Sequence, residues 1–419
     1  MINRKCITEF FSSASGYEEY SQEEKIYETF AGYTGFLLSV ILAFSVCTEK
    51  RSGRLQTLGK DEGKVIIAGW PGYVEKGEND SKYDWVSEFE KNNHCKVENI
   101  IFKNEHDISR VLQDGTADLV ILSSELVLKY ARDEKLREKN LDLLPNWANV
   151  DSRVRNSSWF KILDKSYGVP IGWSANYLLF NKNYFSVEPD SWELMFEEGK
   201  LSDGRSSAKR IQAYGNPVYI ADAALYLKYK RPELKIQNIM NLNEVQYKAV
   251  IDLLKKQHNL LNSYWTDAVE QIKGFRSGTF IAAPSWPYQY HILRKEGMLN
   301  YNKTIPREGV TGWADAILMP EKAKNINCAY KYLNHSLNAK VQGDMAAWTG
   351  SVPVVPDACF QKNSLINSQI CTENGFFHYD KITFWQSLER CDSFNPCVSF
   401  ERWQTDFLFL KLGMFEFLP

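Results

Sequence analysis

An α/β fold in two lobes is what this sequence predicts, and three features carry the prediction. Its 419 residues exceed the usual size of one domain, so two cores with a cleft between them are expected. Short apolar strands alternate with helical segments, the pattern of βαβ units around a buried parallel sheet. That alternation runs twice. The two series are separated by Tyr167-Gly-Val-Pro-Ile-Gly-Trp173, whose glycines and proline mark a chain crossing rather than the interior of an element.

Taken in order, residues 1–62 read as a signal or anchor followed by a linker. The stretch from Thr29 to Thr48 carries no charge, and Gly35-Phe-Leu-Leu-Ser-Val-Ile-Leu-Ala-Phe-Ser-Val46 is its apolar core. That core has signal-peptide length, while the whole uncharged stretch is just long enough to span a bilayer, so export by cleavage and membrane association through an uncleaved anchor both stay open. Cys47 follows as a lipidated cysteine would. Lys50, Arg51 and Arg54 put the positive charge after the segment, the wrong side for simple export.

Regular structure is expected from Gly63. Val65-Ile-Ile-Ala68 reads as a buried strand, Tyr83-Asp-Trp-Val-Ser-Glu-Phe89 as a helix, and Val97-Glu-Asn-Ile-Ile-Phe102 as the next strand. A helix around Ile108 to Leu112, the strand Ala117-Asp-Leu-Val-Ile-Leu122 and a helix from Leu126 to Arg132 complete the first series. Tyr177-Leu-Leu-Phe180 starts the second. It includes a helix whose Tyr247, Val250, Ile251 and Leu254 fall at i, i+3, i+4 and i+7, a core-facing stripe. The first lobe is expected to take residues 63–170 and 314–352, and the second 171–313 and 353–419.

The last stretch, from Asp357, is rich in aromatic residues and holds Cys359, Cys371, Cys391 and Cys397. No Cys-x-x-Cys pair and no zinc spacing occurs, so an exported, disulfide-bonded tail is the reading. Four cysteines allow three connectivities. Closing Cys359 to Cys371 and Cys391 to Cys397 is the simplest.

Composition excludes one class of partner. With 50 Lys and Arg against 52 Asp and Glu, the formal charge is -2, and there is no basic patch for nucleic acid. Catalytic signatures are also missing: no phosphate loop, no Gly-x-Ser-x-Gly elbow and no His-Glu-x-x-His. The six histidines have no metal spacing, and nothing pairs Glu125 with Asp315 for acid/base work. The chain is expected to bind rather than catalyse, without metal or cofactor.

What remains is aromatic. Trp70 closes Lys64-Val-Ile-Ile-Ala-Gly69, Trp286 closes Thr279-Phe-Ile-Ala-Ala-Pro-Ser285, and Trp313-Ala-Asp315 leads into another apolar run. The carboxyl ends of strands open onto the ligand crevice in such sheets, so aromatic faces there beside Asp315 suit an organic cation. Trp70, Tyr73, Trp173, Trp286 and Trp313 are the candidate box, with Asp315, Asn216, Asp222, Ser123 and Ser124 as polar contacts. Two rivals use the same features. A glycan hydrolase would pair tryptophan platforms with two carboxylates, and a membrane-anchored sensory ectodomain would bind without transport.

The order of motifs resembles the spermidine/putrescine-binding proteins of ABC importers, within the type II periplasmic solute-binding fold. The marks are Gly69-Trp-Pro-Gly-Tyr73, Ala117-Asp-Leu-Val-Ile-Leu-Ser-Ser124, Gly168-Val-Pro-Ile-Gly-Trp173, Asp190-Ser-Trp-Glu-Leu194, Ser285-Trp286, Glu308-Gly-Val-Thr-Gly-Trp-Ala-Asp315 and Gly350-Ser-Val-Pro353. They run through residues 63–356, with the cysteine-rich tail as an extension. The resemblance implies a periplasmic or cell-surface protein whose lobes close on a polyamine by hinge rotation, with an ABC permease and its ATPase as partners. The hinge would lie near Val169 to Trp173, Gly312 to Asp315 and Ser351 to Pro353.

Carried over, Trp70 and Tyr73 match first-lobe aromatics, Ser123 a polar contact, Trp286 and Trp313 the rings around the aliphatic chain, and Asp315 a carboxylate holding an ammonium. Three positions depart. Gly72 stands where an acid is expected, Asn216 and Tyr219 replace a polar and acidic pair, and Ser351 replaces an aromatic. With Asp315 alone, a ligand of three or four ammonium groups would be under-neutralised, so a small organic cation, a short polyamine such as putrescine or spermidine or a mono-cationic ligand rather than spermine, is expected, with Asp222 or Glu125 as the source of further charge.

Overall fold

The computed structural model describes residues 55–387, 391 and 396–419. The expected signal or anchor core and Cys47 lie outside them. The first series runs β1 (Lys64–Gly69), α1 (Ser87–Asn93), β2 (Lys96–Ile101), α2 (Glu105–Asp114), β3 (Leu119–Ser123) and α3 (Ser124–Arg132), then a two-stranded hairpin of β4 (Lys161–Ile162) and β5 (Lys165–Ser166), and β6 (Gly168–Ala175). β1 pairs in parallel with β2 and β3, and its apolar run is buried because helices cover the sheet. α1 begins four residues later than the sequence suggests. The Asp84 carboxylate accepts from the amides of Val86 and Ser87, fixing Tyr83 to Val86 as a turn that leads into the helix.

The second series runs β7 (Tyr177–Asn181), β8 (Ile211–Tyr214), α4 (Tyr219–Lys230), α5 (Glu244–Leu260), β9 (Leu261–Trp265), α6 (Ala268–Arg276), β10 (Ala282–Ser285), α7 (Pro287–Lys295) and β11 (Tyr301–Thr304). These strands form their own sheet in the order β11-β7-β10-β8-β9, with β8 parallel to β9 and β10 and with β7 antiparallel to its neighbours. Tyr247, Val250, Ile251 and Leu254 of α5 are fully buried, as their spacing predicts. An Asn243/Gln246 capping box starts that helix.

The chain then returns to the first sheet through β12 (Val310–Leu318), followed by α8 (Ile326–Ser336), α9 (Ala339–Thr349), α10 (Ser368–Asn374), β13 (Ile382–Phe384) and α11 (Phe400–Leu412). β12 runs antiparallel to β3 and β6 and parallel to β13. At Gly312 the partners crowd in: a Cβ there would lie 2.3 Å from Ile382 Cγ2 and 2.6 Å from the Ser174 carbonyl. Only glycine lets three strands meet at that point.

This is the expected two-lobed fold, a sheet in each lobe with the cleft between them. β6 stays with the first sheet through Ala175, and all of β12 belongs there too, so the sheets change over at Asn176 and across residues 305–309. The tail is divided between the sheets rather than given whole to the second. β13 extends the first sheet, while α11 packs on α5, with Tyr247 donating to Asp406.

Among the described residues, three disulfides close the structure. Cys359–Cys371 and Cys391–Cys397 take the simplest connectivity, and Cys95–Cys328 ties the start of β2 to α8 across 233 residues. Nothing local in the sequence pairs those last two. Among the described residues, no helix is long and apolar enough to cross a membrane.

Candidate functional site

Three buried carboxylates stand near the boundary of the two sheets, Glu125 close enough to act on Asp315, and Glu125 and Asp222 both close enough to act on Tyr214. Asp315 sits at a bulge in β12 opposite Ser123, and the Tyr73 hydroxyl, just past β1, donates to its Oδ2. Burial pushes Asp315 up to about 7, against the opposing pull of the Tyr73 hydroxyl, and the Glu125 charge adds to the rise. Glu125 opens α3. Its Oε1 accepts from the Ser123 hydroxyl at 2.5 Å, its Oε2 has no partner, and burial raises it too. Asp222, in the first turn of α4, comes from the second sheet. Its Oδ1 accepts from the Thr311 hydroxyl at 2.7 Å, and burial pushes it up to about 7.

Among the described residues, the groups acting on these acids are hydroxyls, backbone amides, an indole and other acids, with no cation. A buried carboxylate without a counter-charge is costly, so the arrangement is set to receive positive charge from outside the chain.

Aromatic faces line the same space. Tyr214 ends β8 and Trp265 ends β9, and Trp286 immediately follows β10, so three parallel strands deliver rings side by side. Tyr214 lies 4.7 Å from Trp265 and 5.9 Å from Trp286, and Trp265 meets Trp286 edge-on at 4.9 Å. The Trp265 indole donates to the Pro284 carbonyl at 3.0 Å, which fixes it as the buried floor beneath the half-buried Trp286. Burial raises the Tyr214 hydroxyl, and the charges of Glu125 and Asp222 raise it further, so this ring stands near acids of both sheets. Trp313 is half-buried with its indole N–H unpartnered.

The remaining sequence candidates divide clearly. Trp70 is half-buried and edge-on to Phe102 at 5.7 Å. Asn216 caps the turn into α4, accepting from the Val218 amide at 3.0 Å. Four side chains are spent elsewhere. Trp173 is buried under Tyr379 and Phe384 of the tail. Tyr219 accepts from Gln257 at 2.7 Å and stacks on Phe196, within the helical layer. Ser124 donates to the Trp385 carbonyl, and Ser351 accepts from Thr349 at 2.8 Å, wedged against Gly172. They are core and hinge residues because the tail and neighbouring helices cover them.

Sequence reasoning missed Tyr214, Trp265 and Trp385. The first two carried a usable signal, an aromatic at the carboxyl end of a short apolar strand. Trp385 carried none, since its place depends on β13 pairing with β12.

Gly72, where an acid was expected, has φ +89°, and a Cβ there would stand 2.5 Å from Trp348 Nε1. The left-handed turn and the Trp348 indole together exclude an acidic side chain at that point.

A two-lobed frame around a cleft of unpaired acids and aromatic faces defines a solute-binding protein. The chain belongs to the bacterial extracellular solute-binding protein family, whose model matches residues 84–363. It is 23% identical over 298 residues to the putrescine-binding periplasmic protein PotF of Escherichia coli, covering 68% of this chain and 76% of that one. It is 26% identical over 281 residues to spermidine/putrescine-binding periplasmic protein 1 of Haemophilus influenzae, covering 66% and 71%. Its fold superposes with a TM-score of 0.65 on the spermidine/putrescine ABC transporter substrate-binding protein PotD of Streptococcus pneumoniae, at 15% identity and over 84% and 99% of the two chains.

Proposed function

We propose that this protein captures a small organic cation, a short aliphatic diamine of the putrescine kind, in the cleft between its sheets and delivers it to an ABC permease and ATPase. The observation that carries the reading is the set of three buried acids, Glu125 and Asp315 from the first sheet and Asp222 from the second, with no cation of the described residues acting on their titration. One ammonium group held by Asp315 and another by Asp222 would join the lobes. Tyr214, Trp286 and Trp313 would face the carbon chain between them. A ring face contributes about 0.5 to 2 kcal/mol to a bound ammonium, so two rings and two charge-assisted hydrogen bonds reach the roughly -8 kcal/mol of micromolar binding.

The likeness to the putrescine-binding PotF and to the spermidine/putrescine-binding Haemophilus protein supports an aliphatic amine ligand, and membership of an extracellular solute-binding family supports a place outside the cytoplasm. Contacts to both lobes would favour the closed form, which a permease can tell from the empty one. The test is calorimetric titration of the protein, unfolded and refolded to strip carried ligand, with putrescine, spermidine and neutral sugars. Micromolar diamine binding that weakens at least tenfold in Asp315→Asn supports the reading. Binding of a sugar, with no heat from any amine, overturns it.

A further inference from the structure

We propose that the tail sets the length of the amine the cleft accepts, with Trp385 as the wall that stops it. The inference rests on the cation reading above and names the residue that would select within that ligand class.

The tail reaches the cleft by a rigid route. β13 pairs with β12, Gly312 opposite Phe384, and the Trp385 amide donates to the Gly312 carbonyl at 2.7 Å. The Trp385 carbonyl accepts from the Ser124 hydroxyl. Two residues on, Ser387 donates to the Glu125 carbonyl at 2.7 Å and accepts from the Leu128 amide at 3.0 Å. The backbone is therefore held to the first sheet on both sides of Trp385.

The ring itself faces the second sheet. It lies parallel to Tyr214, 5.8 Å between centroids and 9° between planes. Trp385 is only 4% exposed, and neither its indole N–H nor Asp222 Oδ2 makes a hydrogen bond of good geometry. That N–H is near enough to act on the Asp222 carboxyl. The tail thus runs from Glu125 on one sheet to Asp222 on the other and shuts that side of the cleft with an aromatic plate.

Glu125 also lines a cavity of about 560 Å³ together with Gln386 and Ser387 of the tail; its other charged walls are Asp133 and Glu401 against Lys129 and Arg132, so acids outnumber cations, and Trp385 does not contribute to it. On this proposal a triamine entering between Asp315 and Asp222 would have to extend past the indole to place its third ammonium, whereas a four-carbon diamine would end before it.

The experiment compares 1,4-diaminobutane, spermidine and spermine by calorimetry on the wild type, Trp385→Ala and Trp385→Phe, with thermal unfolding to verify that each variant is folded. The wild type should bind the diamine at least tenfold more tightly than spermidine. Trp385→Ala should erase that preference through a gain for spermidine, and Trp385→Phe, which keeps a plate on Tyr214, should retain most of it. An unchanged ratio in Trp385→Ala, or a wild type that already prefers spermidine, overturns the wall while leaving the cation reading intact. Binding of no amine by the wild type overturns both.

Discussion

Lowering the pH from 8 to 6 should weaken diamine binding about a hundredfold. Asp315 and Asp222 are each pushed up to about 7 by burial. An ammonium ligand, itself charged throughout this range with a pKa near that of lysine, about 10, binds the ionised acids. At pH 8 about nine-tenths of a group titrating near 7 is ionised, and at pH 6 about one-tenth. Each acid therefore costs roughly tenfold in affinity, and two cost about a hundredfold, roughly 2.7 kcal/mol. Glu125 is raised in the same direction and steepens the loss, and because its charge acts on Asp315 those two titrate as a pair.

Calorimetry in pairs of buffers with different ionisation heats reads both the affinity and the protons released. Close to two protons per diamine should leave at pH 6 and few at pH 8. Asp315→Asn should halve the logarithmic slope. An affinity constant that is flat between pH 6 and 8, with no proton release, would refute the placement of ligand ammonium groups on these acids.

The same acids have a signature in the empty protein. Their folded values lie above the ordinary carboxylate range, so the folded state holds protons that the unfolded chain gives up between about pH 4 and 7. Stability is then greatest at the acid end of that window and falls as pH rises through it, by on the order of 4 kcal/mol per acid. Diamine should restore it at pH 8, which thermal unfolding with and without ligand measures.

Three further outcomes follow from the packing. Trp286→Ala should lower diamine affinity by about 2- to 30-fold, the worth of one ring on an ammonium, whereas Trp173→Ala should cost about 3 to 5 kcal/mol of folding stability; paired titrations and denaturant melts separate the two. Gly72→Asp, which restores the expected acid, should destabilise by on the order of 1 to 3 kcal/mol and add no affinity, because of the turn's φ of +89° and the Trp348 indole; a gain in spermidine binding at full stability would contradict this. Serine at both Cys95 and Cys328, which span 233 residues, should cost about 5 kcal/mol by loop entropy, against about 3 for the pair Cys359 and Cys371, which span 12, and equal losses in urea melts would count against that ordering.

The fold was legible because its signals are local. Val65 to Ala68 is a continuous apolar run that only a strand covered on both faces would carry, and the Tyr247 to Leu254 stripe can face only one way. The site was half legible for the opposite reason. Trp173 and Trp286 look alike in sequence, each following a short apolar run, yet one is buried beneath Tyr379 and Phe384 and the other fronts the cleft. The difference comes from a tail some 200 residues beyond Trp173, laid on β12 by strand pairing, which no local pattern encodes.

Charge followed another rule again. Counting acids at the family's positions left Asp315 alone, because Gly72 cannot carry a carboxylate in its left-handed turn against Trp348. The structure brings in Glu125 and Asp222 instead, Glu125 by the sharp passage from β3 into α3 and Asp222 through the Thr311 hydroxyl beside the hinge. Thr311 in turn accepts from the Asn176 side chain at 2.7 Å, at the residue where the chain leaves the first sheet for the second. The relocated acid is therefore coupled to the hinge, as an acid at position 72 would not be. Neutralising Asp222 should then do more than weaken a ligand contact: Asp222→Asn keeps the acceptor for Thr311 and should lose only affinity, while Asp222→Ala removes it and should also leave the liganded protein less compact in small-angle scattering. Equal compaction in the two variants at saturating diamine would show that the acid and the hinge act independently.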